Sequence, residues 1–180
     1  IVVLEIDERL CKFLDKINER YNFSIDVIKY NVEEPLPKRL IGRFDTFSSE
    51  PLESITGITA FLSRGIACLR SGGSGYFGLT NLEASRNKWF KIEKTLLNMG
   101  CVITDIIKDF TKYPPSYSID REEPFIHMFK FKVREVVSSS VEWYKSSIIR
   151  FEAIKPSPII EWNRKTKIDL VDQEVLAHPY

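Results

Sequence analysis

Short apolar runs at Ile1–Leu4, Phe44–Ser48 and Tyr76–Thr80 are each followed by a segment in which apolar residues recur at helical spacing, and that alternation leaves few folds open. Ile1-Val2-Val3-Leu4 stops abruptly at Glu5-Ile6-Asp7, the pattern of a parallel-type strand buried on both faces. From Asp7 to about Tyr21, Leu10, Cys11, Phe13, Leu14 and Ile17 share one helical period, with Asp7 placed as N-cap. A second strand is expected over Ile25–Tyr30, before a polar, proline-punctuated loop from Asn31 to Pro37. Further helices are expected over Ile55–Leu69 and Ala84–Asn98, the latter turning Trp89, Ile92, Leu96 and Leu97 inward and ending at Gly100. Ser71-Gly72-Gly73-Ser74-Gly75 reads as the turn that closes the earlier one. Cys101–Ile107 and Glu142–Ile154 complete the strands, and Lys155-Pro156-Ser157-Pro158 breaks regular structure. Repeated βαβ units predict an α/β fold, an open, mostly parallel, Rossmann-like sheet with helices on both faces, in a single domain over residues 1–180.

Composition narrows the function. Lys+Arg 26 against Asp+Glu 25 gives no bulk electrostatic grip on nucleic acid or an anionic membrane. Cys11, Cys68 and Cys101 are odd in number and set among apolar neighbours, which predicts buried thiols and a cytoplasmic location. No apolar run approaches the ~18 residues of a membrane span. The chain begins with Ile1 inside an apolar run and is expected to be part of a longer polypeptide. His127 and His178 are isolated from any Cys/His cluster, so no metal site is expected. Gly72-Gly73-Ser74-Gly75 follows a helix and precedes a strand, the reverse of what a phosphate site requires. Gly-x-Ser-x-Gly is absent, which leaves a hydrolase elbow unsupported.

In open parallel sheets, ligands bind beyond the carboxyl ends of the strands. That rule selects Glu5 and Asp7, Asn31 and Glu33, Ser48–Glu53, and Thr80–Glu83. Glu5 leaves a strand just before a helix, where a carboxylate can accept both hydroxyls of a nucleoside ribose; its plainer role is to share in capping that helix with Asp7. Asn31 offers amide donors and an acceptor suited to an adenine edge, or ordinary turn chemistry. Pro51 restricts Glu50 to extended backbone and aims it at the crevice, with Glu53 following and Asp45 on the preceding strand. Carboxylates there could hold a cationic amine and remove the proton that a nucleophilic amine must lose. Thr80 and Asn81 are the polar residues at the next strand exit. Ser63-Arg64-Gly65 reads as a charged helix face beside a small-residue contact.

Several motifs agree in order and spacing with one family. Val3-Leu4-Glu5-Ile6-Asp7-Glu8-Arg9, Gly42-Arg43-Phe44-Asp45-Thr46-Phe47, Phe61-Leu62-Ser63-Arg64-Gly65-Ile66, Gly75-Tyr76-Phe77-Gly78-Leu79-Thr80 and Met99-Gly100-Cys101-Val102-Ile103-Thr104-Asp105 together resemble the catalytic domain of the branched-chain polyamine synthases. The resemblance runs from Ile1 to about Tyr113. It implies a class I methyltransferase-like fold used for aminopropyl transfer from decarboxylated S-adenosylmethionine, as co-substrate, to the secondary amine of spermidine. It implies Glu50 as the catalytic acid, Glu5 as the nucleoside-binding acid and Asn31 beside the adenine; by their strand exits, Asp45, Glu53, Thr80 and Asn81 are expected around the amine and Asp7 beside the nucleoside. Glu50 and Leu52 stand where the family has Asp and a second proline. Methyl transfer from intact S-adenosylmethionine and a non-catalytic nucleoside- or polyamine-binding module are the competing readings, since one fold hosts many activities.

The resemblance further implies that the strand bearing the family's Gly-rich loop lies upstream of Ile1. Its place is central, between Ile1–Leu4 and Phe44–Ser48. Its absence should leave a gap, or the sheet should close over that gap with altered register. The partners expected are small molecules, a polyamine and a sulfonium nucleoside, with no nucleic acid or membrane. The aromatics after Tyr113 are a candidate homodimer interface.

Overall fold

The computed structural model describes residues 1–80, 85–113, 145–155, 162–170 and 172. Strands β1 (Val2–Glu5) and β2 (Asp26–Lys29) pair in parallel, with Val2 opposite Asp26 and Glu5 opposite Lys29. Between them runs α1 (Glu8–Tyr21), capped at its start by the Asp7 side chain and closed by Asn22 in a left-handed conformation. β3 (Phe44–Ser49), α2 (Ile55–Cys68), β4 (Leu69–Thr80), α3 (Arg86–Asn98), β5 (Cys101–Lys112) and β6 (Lys145–Ala153) follow. The four later strands form a second sheet in the order β3-β4-β6-β5. β3 runs parallel to β4, whereas β6 runs antiparallel to both of its neighbours. The sheet is mostly parallel, as expected: among the described strands only β6 runs against its neighbours, returning between β4 and β5.

α2 and α3 pack on one face of this sheet. Ile58, Leu62 and Ile66 of α2 meet Ile92 and Leu96 of α3 over Phe77, Leu79, Ile149 and Phe151, and the Phe47 and Phe151 rings meet edge-on at 5.7 Å. Burying a side chain of this size contributes about 1.5–3 kcal/mol, so this layer carries most of the stability. A smaller cluster places Leu36, Leu40, Ala67 and Cys68 against Val2, Leu4, Ile28 and Trp162. All three cysteines are free and buried, as their apolar surroundings predict.

Three local expectations are corrected. Ser71–Gly75 is not a turn: α2 ends at Cys68 and β4 begins at Leu69. The glycines absorb a register shift against β3 between Phe44 and Thr46, with Gly72 at φ 80°, a backbone that suits a strand irregularity. Leu97 points outward and is exposed, as are Leu10 and Phe13 of α1. β1 is only half-buried along its length, because among the described residues it is paired on one edge alone. Among the described residues, α2 and α3 share one sheet face, while α1 packs on the two-stranded sheet. The strand from Glu142 is described from Lys145 onward, and the segment from Pro124 lies outside the described residues.

β1 and β3 do not pair. A cavity of about 1030 Å³ separates them, lined by Val2, Val3, Leu4 and Glu5 on one side and by Thr46 through Glu50 on the other. Side chains of a strand alternate between faces, so a wall of consecutive residues is a strand's edge rather than one of its faces. Among the described residues, the gap implied by the family resemblance is thus open, and β1 and β3 do not close over it by altered register.

Candidate active site

Glu5, Asn31 and Glu50, from three different strand exits, line this one cavity. Glu5 is held by its neighbour: its Oε1 accepts the Asp7 backbone N–H at 2.7 Å, which fixes the carboxylate at the cavity wall. Asn31 Oδ1 accepts the Glu33 N–H at 3.0 Å, an Asx turn that orients the amide. Glu50 stands at the exposed rim just past β3. Burial of part of its carboxyl raises its pKa above the ordinary 4.5, and no described residue donates a hydrogen bond to it. Desolvation without a compensating partner makes a carboxylate a stronger base.

The other sequence candidates fall elsewhere. The Asp7 carboxylate caps α1 and is taken up by the Arg9 backbone and guanidinium. Those hydrogen bonds bring its pKa down to about 2, and Asp7 does not line the cavity. Asp45 sits at the opposite end of β3 from Glu50 and pairs with Arg70 at 3.0 Å on the surface. Glu53 clamps the end of β4: its two oxygens accept Thr80 N–H at 2.8 Å and Thr80 Oγ1–H at 2.7 Å. Neither Glu53 nor Thr80 lines the cavity, and Asn81 lies outside the described residues. Glu53 instead fixes the loop that carries Glu50.

Sequence reasoning missed the wall formed by residues 162–170 and Asp172. Leu36 N–H donates to Trp162 O at 2.8 Å, and Thr166 N–H to Glu33 O at 2.9 Å. Ile168 N–H donates to Glu33 Oε1 at 3.0 Å, which brings Ile168 and Leu170 to the cavity beside Leu52 and Phe61. Asp172 accepts from Ile55 N–H at 2.9 Å at the start of α2 and pairs with Lys88 at 3.0 Å. Lys88 Nζ also donates to Glu53 O at 2.9 Å. Arg64, first read as a surface charge, is buried, lines the cavity, and donates to Val32 O at 3.2 Å and Arg164 O at 2.6 Å. Among the described residues no group of His, Cys, Asp or Glu is arranged to hold a metal, and no helix is long and apolar enough to cross a membrane.

A mixed α/β sheet with its polar residues gathered at the strand exits defines a class I methyltransferase-like domain. Fold alone does not fix the chemistry: the StiE O-MT (TM-score 0.54, 12% identity, 87% of this chain and 60% of that one) and the cyclase SpnF (TM-score 0.56, 14% identity, 87% and 66%) share it. Residues 1–176 match the branched-chain polyamine synthase A C-terminal domain, and the chain belongs to that family. The N(4)-bis(aminopropyl)spermidine synthase of Thermococcus kodakarensis is 37% identical over 97% of this chain, and that of Thermus thermophilus 31% over 97%. The chain spans about half the length of these curated relatives, 49% of each. The crystal structure of the Thermus thermophilus branched-chain polyamine synthase, in complex with N4-aminopropylspermidine and 5'-methylthioadenosine, superposes at a TM-score of 0.82 with 32% identity, covering 98% of this chain and 50% of that one.

Proposed function

We propose that this domain supplies the nucleoside- and amine-binding walls of an aminopropyltransferase that converts spermidine into a branched polyamine. The observation that carries the reading is the convergence of Glu5, Asn31 and Glu50 on one cavity of about 1030 Å³, large enough for a nucleoside and a polyamine together. Glu5 accepts the ribose hydroxyls and Asn31 meets the adenine edge. The lone pair of the secondary amine attacks the methylene carbon bound to the sulfonium of decarboxylated S-adenosylmethionine. The carbon–sulfur bond breaks with its electron pair going to sulfur, which leaves 5'-methylthioadenosine. The amine proton passes to Glu50, and the product nitrogen carries three carbon substituents.

Sulfur departs as a neutral thioether and needs no acid, so the work of the site is to align three atoms and remove one proton. Glu53 and Thr80 brace the Glu50 loop. A strand from outside these residues joins the open edges of β1 and β3. The product-bound Thermus thermophilus structure supports this reading, because its two ligands are the two products of that step. Turnover of spermidine with decarboxylated S-adenosylmethionine by the full-length protein, alongside Glu50→Gln, tests it. Unchanged product formation by the variant removes Glu50 from the mechanism, and turnover with intact S-adenosylmethionine alone replaces aminopropyl by methyl transfer.

A further inference from the structure

Glu50 has a neighbour on the next strand that is defined by what it lacks. Gly78, buried in β4, lies directly under the Glu50 carboxyl group. A Cβ built on Gly78 would lie 2.6 Å from Glu50 Cδ and 2.7 Å from Oε1, and it would overlap Oε2 more closely still. Its φ is not in the left-handed region, so the backbone places no demand for glycine here. Phe77 and Leu79 on either side fill the helix-facing core, and Gly78 pairs with Ile148 of β6 in regular register. Only the approach of the carboxylate requires the missing side chain.

We infer that Gly78 is a positioning residue for Glu50: by leaving bare backbone on β4, it provides the recess in which the longer acid rests and sets the distance at which that acid meets the amine. The inference rests on the reading of Glu50 as proton acceptor. An alanine methyl collides with the far end of a flexible side chain and not with backbone, so Gly78→Ala should fold. Relieving contacts of 2.6–2.7 Å moves the carboxylate by about 1 Å out of the recess and toward water, a displacement that can cost on the order of 10²-fold in rate. The titratable and charged groups on the elements around it are Tyr76 on β4, Arg150 and Glu152 on β6, Glu53, Lys88 and Asp172 at the base of the loop, and Glu5, Glu33 and Arg64 across the cavity. The three atoms nearest to a Cβ on Gly78 all belong to Glu50.

The test uses the full-length protein carrying Gly78→Ala, Glu50→Asp, both together, or Glu50→Gln. Gly78→Ala should lower kcat by about 10–100-fold, keep KM for the nucleoside donor within about twofold, and shift the acid limb of the kcat/KM profile to lower pH as the acid is rehydrated. A carbon-13 carboxyl titration of Glu50 should show the same downward movement without any dependence on turnover. The shorter acid clears the methyl, so adding Glu50→Asp to Gly78→Ala should restore part of the lost kcat. If Glu50→Gln is inactive while Gly78→Ala keeps the wild-type kcat and carboxyl titration, the inference about Gly78 is overturned and the functional reading stands. If Glu50→Gln is fully active, the reading of Glu50 as proton acceptor fails, and an unmoved titration in Gly78→Ala removes the recess as well.

Discussion

Glu50 is charged where partial burial disfavours charge, and the two protonation states pull on stability and activity in opposite directions. Its pKa in the folded protein lies above the ordinary 4.5. The folded state therefore holds this proton more tightly than the unfolded chain, and the stability this gives is lost as pH rises through the folded value. Glu50→Gln should thus melt at or slightly above the wild-type temperature at pH 7, while turnover falls by about 10²–10⁴-fold. Calorimetry paired with a product assay separates the two effects. Glu5, already held by the Asp7 N–H, should behave differently: Glu5→Gln weakens 5'-methylthioadenosine binding by about 10–100-fold in a titration, the range for hydrogen bonds to a charged acceptor. Asp45 shares its strand with the site but pairs with Arg70 at the far end. Asp45→Asn should leave turnover within about twofold, since exposed pairs contribute little.

At the scale of elements, a buried ion pair at Asp172 joins the backbone bonds that tie the strap of residues 162–170 to Glu33 and Leu36. Lys88 and Asp172 have side chains only 9% and 17% exposed, and removing one partner of such a pair typically costs about 3–5 kcal/mol. Lys88→Ala should lower Tm and speed proteolytic cleavage near Asp172, with the loop carrying Glu50 loosened through the lost bond to Glu53 O. The helices and strands that hold the opposite wall were legible in the sequence, because each carries its own signal. Asp7, before the apolar period of α1, is its N-cap, and Ile92 and Leu96 mark the buried stripe of α3. The convergence of Glu5, Asn31 and Glu50 was legible through the strand-exit rule. The strap was not, since its contacts join residues such as Ile55 and Asp172, 117 positions apart, with no local periodicity between them. Nor was the irregular start of β4, where a run of glycines carries the signature of a turn and of a distorted strand alike. Glu53 was misread for a third reason: composition shows an acid near a crevice but not the Thr80 amide that occupies it.

At the scale of the molecule, the facing edges of β1 and β3, unpaired among the described residues, make assembly and ligand binding share one space. A strand inserted there from the full-length polypeptide should protect backbone amides of both edges. Hydrogen exchange in the full-length protein and in the isolated chain 1–180 compares them: the edge amides of Val2–Glu5 and Phe44–Ser49 should exchange more slowly in the former, while those of β4 and β6 change little. Equal rates in both would leave the edges without a partner. The position of β6 has its own outcome during synthesis. Among the described residues, β4 and β5 are paired to each other through Lys145–Ala153, so two sticky ribbons leave the ribosome before the piece that zips them together. A growing chain of this protein must keep those ribbons apart until Lys145–Ala153 emerges, and that interval is when it most needs a chaperone.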